Sequence, residues 1–292
     1  MQITAEMVKN LREQTGAGMM ECKKALTEAA GDMEKARLLL REKGAASAAK
    51  REGRTASEGV VAALKSPNGK SAAMVELNSE TDFVARNNEF KNLARELAAR
   101  ILSTTAETVD ALLDASPPDG GQPIRPQYDE LVARLKEKIE LRRFARWHAD
   151  SKGVIETYIH LNDKIGVMVE LSAPNGDTEE IRRLAKDISM HIAASRPQFL
   201  SREEVPEAII REEFEIQRQR AAQDPKNANK PDAVLENIAK GRISKYYEET
   251  CLLDQPFVRD PAQAVQKVLA AAGSGIEVRR FLRYMVGEAL EG

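Results

Sequence analysis

The sequence predicts an α+β fold, and three observations carry that reading. Helical periodicity punctuated by glycines fills residues 1–50, a strand-turn-strand-helix pattern occurs twice, and two charged helical segments joined by a polar turn follow late in the chain. The predicted division is 1–50 for a three-helix module and 55–150 and 151–292 for two related subdomains. The second carries an inserted helical hairpin at about 206–247.

The first helix is capped by Thr4, places Met7, Val8 and Leu11 on one face, and stops at Thr15-Gly16-Ala17-Gly18. A second spans about Met19 to Ala30, with Cys22 and Leu26 one turn apart. Gly31 ends it, and Asp32 caps a third that should stop at Gly44, leaving Ala45–Gly53 as a linker. Cys22 reads as a small apolar residue in preference to a reactive thiol.

Gly59–Lys65 and Ser71–Leu77 flank Ser66-Pro67-Asn68-Gly69, a turn signal between two strands. A helix from about Asn88 to Leu102 follows, with Phe90, Leu93, Leu97 and Ile101 inward. Then come a short helix (Thr108–Ala115), a Pro/Gly loop and a helix over Tyr128–Ile139. Residues 153–171 repeat 59–77 without a gap at an offset of 94, with 8 of 19 positions identical, and the helix Thr178–Ala194 follows. The helical hairpin draws its apolar seam from Ile209, Ile210, Phe214, Ile216, Val234, Leu235, Ile238 and Ile243. It is either satisfied by itself or an arm for docking, and a homodimer through it stays open. A helix (Pro261–Ala271) and a strand (Ile276–Val286) close the chain.

With 42% apolar and 31% charged residues, the composition is that of an ordinary globular protein. A formal net charge of −2 supplies no global field for nucleic acid, and the pairs Lys50-Arg51 and Arg142-Arg143 read as solvated faces. The N-terminus has no apolar signal core, no window suits a membrane span, and only two cysteines occur, so a cytoplasmic chain is expected. Neither a nucleophile elbow nor a phosphate loop is present, the three histidines are scattered, and no cofactor or metal is expected. His191, one turn from Asp187, reads as a packed histidine.

One joint stands out. Thr81-Asp82-Phe83-Val84 places a large aromatic amid polar residues between strand and helix, where the second repeat has the plain turn Ser172–Asp177. Phe83 either folds back over its own core or serves as an anchor for a partner, since aromatics on loops held by rigid elements suit binding.

Thr15-Gly-Ala-Gly-Met-Met-Glu-Cys-Lys-Lys-Ala-Leu26 and Thr81-Asp-Phe-Val-Ala-Arg-Asn87 resemble the two signature stretches of the bacterial elongation factor Ts family, and the order of parts is similar throughout. The resemblance implies a UBA-like N-terminal module and an α+β core whose partner is elongation factor Tu. It further implies a guanine-nucleotide exchange factor without covalent chemistry. On these positions, Asp82 and Phe83 would intrude between two helices of the partner's GTPase domain and act indirectly on GDP and magnesium, with Thr81 and Val84 beside them as partner-binding residues. Arg12, Met19 and Met20 would grip another helix, and His160 would touch the same domain. Many relatives continue into a further C-terminal helix, whereas this chain stops at Gly292, so that grip is expected to be absent. The alternative is a UBA-like binding adaptor without exchange activity. Direct binding of nucleic acid or membrane is not expected.

Overall fold

A computed structural model describes residues 2–174, 176–227 and 230–290. Position 175 of the loop after the second hairpin, positions 228 and 229 of the helical hairpin's tip, and the expected chain stop at Gly292 lie outside the described residues.

Thr4 caps α1 (Ala5–Thr15) by accepting from the Met7 amide, and Gly16 at φ 65° ends it. α2 (Met19–Glu28) follows, then α3 (Met33–Ala49), capped by the Asp32 carboxylate on the Lys35 amide. Val8, Leu11, Cys22, Ala25, Leu26 and Ala36 make their thin shared core. Burial there pushes the Cys22 thiol up.

α3 runs through the expected stop at Gly44. A Cβ there would approach Ala133 Cβ within 2.8 Å, so this glycine permits close helix packing and is no helix end. Arg51, expected on a solvated face, is buried and reaches the Val132 carbonyl.

β1 (Glu58–Lys65) and β2 (Ser71–Ser79) form the first hairpin. α4 (Asp82–Ala85), α5 (Asn88–Ser103), α6 (Val109–Asp114) and α7 (Arg125–Leu135) follow. Phe90, Leu93, Leu97 and Ile101 of α5 pack on the sheet with Val60, Val75 and Leu77. α7 ends at Lys136, left-handed at φ 58°, short of the expected Ile139.

The next segment is an unanticipated strand, β3 (Glu140–His148), giving the sheet order β1-β2-β3. Its arginines hide the strand pattern in the sequence, and they are not a solvated face. Arg142 Nη1 lies 3.0 Å from Glu76 Oε1 and Arg143 Nε 2.6 Å from Glu76 Oε2, and Glu76 is 0% exposed. The register shifts at Glu76/Leu77, so two consecutive arginines meet one carboxylate, as a bulge permits. The Gly287 amide donates to Glu76 at 2.9 Å.

β4 (Gly153–His160) and β5 (Ile165–Ser172) repeat the hairpin, and α8 (Glu179–Ser195) follows. α9 (Glu207–Gln223) and α10 (Asp232–Thr250) form the helical hairpin. They close on Ala221, Leu235, Ala239 and Ile243, while Ile209 and Val234 of the expected seam are exposed. Leu235 and Ile243 of the expected seam are buried there, and the small Ala221 and Ala239 join them at the contact.

β6 (Pro256–Phe257) pairs with β7 (Asp260–Ala264), so α11 (Val265–Ala272) starts later than the expected Pro261. β8 (Val278–Met285) completes a second sheet, β4-β5-β8.

The two sheets carry matching contacts. Glu170 accepts from Arg279 and Arg280, again beside a register shift. Arg143 stacks over Tyr284 at 3.9 Å and Arg280 over Trp147 at 4.3 Å. The Val61 amide donates to the Asp163 carbonyl and the Ile155 amide to the Gly69 carbonyl. Val61, Ala72, Met74, Ile155, Met168 and Tyr284 form the shared apolar layer between them. The third strands also match: Glu140, Arg142, Arg143, Phe144 and Arg146 recur as Glu277, Arg279, Arg280, Phe281 and Arg283, at an offset of 137.

His191 is packed, as expected. Its Nδ1 accepts the Val258 amide at 3.1 Å and its Nε2 lies 2.9 Å from Gln255 Oε1, so the neutral ring protonated at Nε2 satisfies both. Asp187 is engaged by Arg259 instead. Among the described residues no helix is long and apolar enough to cross a membrane.

Two outcomes follow. Glu76→Ala leaves two arginines facing an emptied carboxylate site and should lower urea-unfolding stability by roughly 3–5 kcal/mol; a loss within error would contradict the clamp. Burial holds the His191 pKa below its ordinary 6.5, so the unfolded chain takes up that proton first as pH falls. This contribution to stability is complete above pH 6.5 and is lost from there down to the lower folded-state value. Unfolding midpoints of the parent and His191→Gln, compared at pH 7.5 and 5.5, should show the smaller drop in the variant.

Candidate partner interface

Beyond the end of β2 the chain makes a single helical turn. Thr81 is its cap: extended at φ −123°, it accepts from the Val84 amide at 3.4 Å. Val84 and Ala85 point into the first sheet's core. Asn87 caps α5 through the Glu89 amide, so two helix starts fall within a few residues. With Val84 and Ala85 on the inner side of this helical turn, Phe83 faces outward, where it is 82% exposed. It is no lid on its own core. Asp82 pairs with Arg86 at 2.8 Å on an exposed surface, a weak link that leaves the carboxylate open to exchange.

The turn is held from across the sheet. Glu137 Oε1 accepts the Thr81 hydroxyl at 2.6 Å and Oε2 the Thr81 amide at 3.0 Å. Glu80 accepts the Lys138 amide at 2.6 Å, and this bond, with Arg54 behind it, holds the Glu80 carboxyl below its usual range. Neither glutamate stands out in the sequence. Their partners lie 56 and 58 residues away, across a strand pair that was itself unforeseen.

The remaining candidate residues occupy two other segments. Met19 and Met20 open α2 at 58% and 74% exposure, and Arg12 is exposed in the last turn of α1. Glu21, beside them, bonds the Gly18 amide at 3.0 Å and Lys136 Nζ at 2.9 Å, which links this end of the module to α7.

His160 ends β4, exposed, with Nδ1 2.9 Å from the Tyr158 hydroxyl and the two rings stacked. Leu161, Asn162 and Asp163 follow at φ 55°, 53° and 67°, a left-handed run that is strained for a leucine. Leu161 is exposed and equally inconspicuous in the sequence; only the absence of glycine from so tight a turn could have flagged it. Asp163 ties this turn to Lys91 of α5 at 2.8 Å.

Thr81–Val84 therefore form one compact feature, whereas Arg12, Met19, Met20 and His160 stand on elements that polar contacts link to the same scaffold. Among the described residues no group of three or more His, Cys, Asp or Glu side chains is placed to hold a metal.

Comparison with known proteins points to one family. The family model described as elongation factor TS matches residues 80–288. Elongation factor Ts of Clostridium botulinum (strain Alaska E43 / Type E3) is 46% identical over 99% of this chain and 94% of its own length. Those of Clostridium acetobutylicum and Clostridium perfringens (strain SM101) are each 43% identical with the same coverage. The chain belongs to the elongation factor Ts family, a family of nucleotide exchange factors of translation elongation.

Proposed function

We propose that this chain releases GDP from elongation factor Tu by inserting the Thr81–Val84 turn into the partner's GTPase domain, with Phe83 as the wedge and Asp82 beside it. The observation that carries the reading is an aromatic ring projecting into water from a turn whose neighbours are buried and whose cap is doubly bonded. Arg12, Met19 and Met20 of a UBA-like module supply a second grip, and His160 a third. The two sheets, with their matching contacts, are read as duplicated subdomains, with α9–α10 inserted in the second. Such a factor works in the cytoplasm and needs no cofactor of its own.

GTPases hold GDP through phosphate contacts and a magnesium ion that demands near-ideal octahedral geometry from few protein ligands. A wedge that displaces one ligand by about an ångström degrades that geometry without touching the nucleotide. Linkage makes the effect mutual: factor and nucleotide weaken each other by the same ratio, so incoming nucleotide expels the factor. Binding free energy is sufficient, and no bond is made or broken.

Burying one Phe ring contributes roughly 1.5–3 kcal/mol, so Phe83→Ala should slow stimulated GDP release about ten- to hundredfold while its unfolding midpoint is retained. Release at the parent rate would remove the wedge. Met19→Ala combined with Met20→Ala should instead raise the half-saturating concentration about tenfold or more, with the maximal rate kept. A chain that bound the GTPase tightly without accelerating release would be an adaptor.

A further inference from the structure

Three consecutive residues connect the wedge turn to the small helical module. Lys136 closes α7 and bonds Glu21, one residue from Met20. Glu137 takes both the amide and the hydroxyl of Thr81, and the Lys138 amide bonds Glu80.

The register of the sheet explains the placement. Before the shift Glu76 opposes Arg143; after it Leu77 opposes Leu141 and Asn78 opposes Glu140. Carried forward, that pairing sets Thr81 opposite Glu137. Without the bulge Thr81 would face Lys138, whose side chain has no acceptor to offer the Thr81 hydroxyl.

α4 needs this support. Four residues are too few for a helix to sustain itself, and its cap bond is long at 3.4 Å. By accepting the hydrogen bond that the Thr81 hydroxyl donates, Glu137 leaves that oxygen's lone pairs facing the Val84 amide. By taking the Thr81 amide, it fixes the backbone from which Phe83 departs. Glu137 is itself only partly buried and belongs to no apolar core, so its effect is local.

We infer that Glu137 is a positioning residue for nucleotide exchange, which sets the direction of Phe83 by holding Thr81. The inference rests on Phe83 being the wedge. Glu137 acts through the turn and makes no contact of its own with the nucleotide site. It governs how far the wedge displaces the partner's groups, more than how tightly the two proteins associate.

The test uses the full chain and stopped-flow release of fluorescent GDP from elongation factor Tu, read as maximal rate and half-saturating concentration. Glu137→Ala should lower the maximal rate on the order of tenfold to a hundredfold, the scale at which small misplacements act, and leave half-saturation nearly unchanged. Glu137→Gln, which keeps one acceptor oxygen, should recover part of that rate. In a Phe83→Ala background, Glu137→Ala should cost nothing further, since the two act through one ring.

Losses that multiply in the double variant would overturn the inference, as would a parent rate for Glu137→Ala. A fall in unfolding midpoint with a matching rise in half-saturation would show a general structural role and overturn it too. Should Glu137→Ala fail to fold, Thr81→Val, which removes only the hydroxyl, should show the same split, and a parent maximal rate there would overturn the inference. A parent rate for Phe83→Ala alone would instead sink the wedge reading itself, which keeps the two failures apart.

Discussion

The buried carboxylate of Glu76 is the constraint on which the rest of this structure depends. An isolated charge at that depth would be expelled or neutralised, so its two arginines and the Gly287 amide are obligatory partners. Satisfying them requires two adjacent residues of β3 to face one position of β2, and the sheet does this by slipping its register at that point. The slip propagates to the strand ends. It sets Thr81 against Glu137 and Glu80 against Lys138, and so decides how the chain leaves the sheet and enters α4. A charge balance inside the sheet thereby becomes a direction outside it.

On the proposed reading, folding and function divide the same few residues around Phe83. Val84 and Ala85 give the turn its hold on the core, while Phe83 leaves its apolar surface in water. Folding gains almost nothing from that ring, and its area remains available to a partner. Rigidity raises its value, because a ring already fixed in direction loses little freedom on binding. Asp163 and Lys91 tie the His160 turn to α5, and Lys136 and Glu21 tie the helix of the exposed methionines to α7. Ion pairs of this kind add little stability individually; they link separate elements without holding them rigidly.

Much of this was legible in the linear sequence. Capping residues and glycines marked the first three helices, and the hairpin repeat appeared at its constant offset because strand, turn and strand are local. The absence of an aromatic from the second repeat's loop singled out Phe83, although its outward direction depended on where Val84 and Ala85 pointed. Long-range pairing was not legible. β3 is hidden in the sequence because Arg142, Arg143 and Arg146 break the apolar alternation that reveals a strand, and Glu76, which pairs with Arg142 and Arg143, lies far away in sequence. The recurrence of Glu-x-Arg-Arg-Phe-x-Arg at 140 and 277 was the available signal. It escapes a search at an offset of 94 because the inserted helices lengthen the spacing to 137. Gly44 misleads for a related reason: a glycine that admits a neighbouring helix looks, in sequence, like one that ends its own. Glu137 gave no local sign at all.

The most direct test places 4-fluorophenylalanine at position 83 and follows its fluorine resonance by NMR as elongation factor Tu·GDP is added. The H2O/D2O solvent shift of that resonance should be large in the free chain and collapse in the saturated complex as the ring leaves water. A solvent shift that persists in the complex would mean that Phe83 stays outside the partner, and exchange by a wedge at this position would be contradicted.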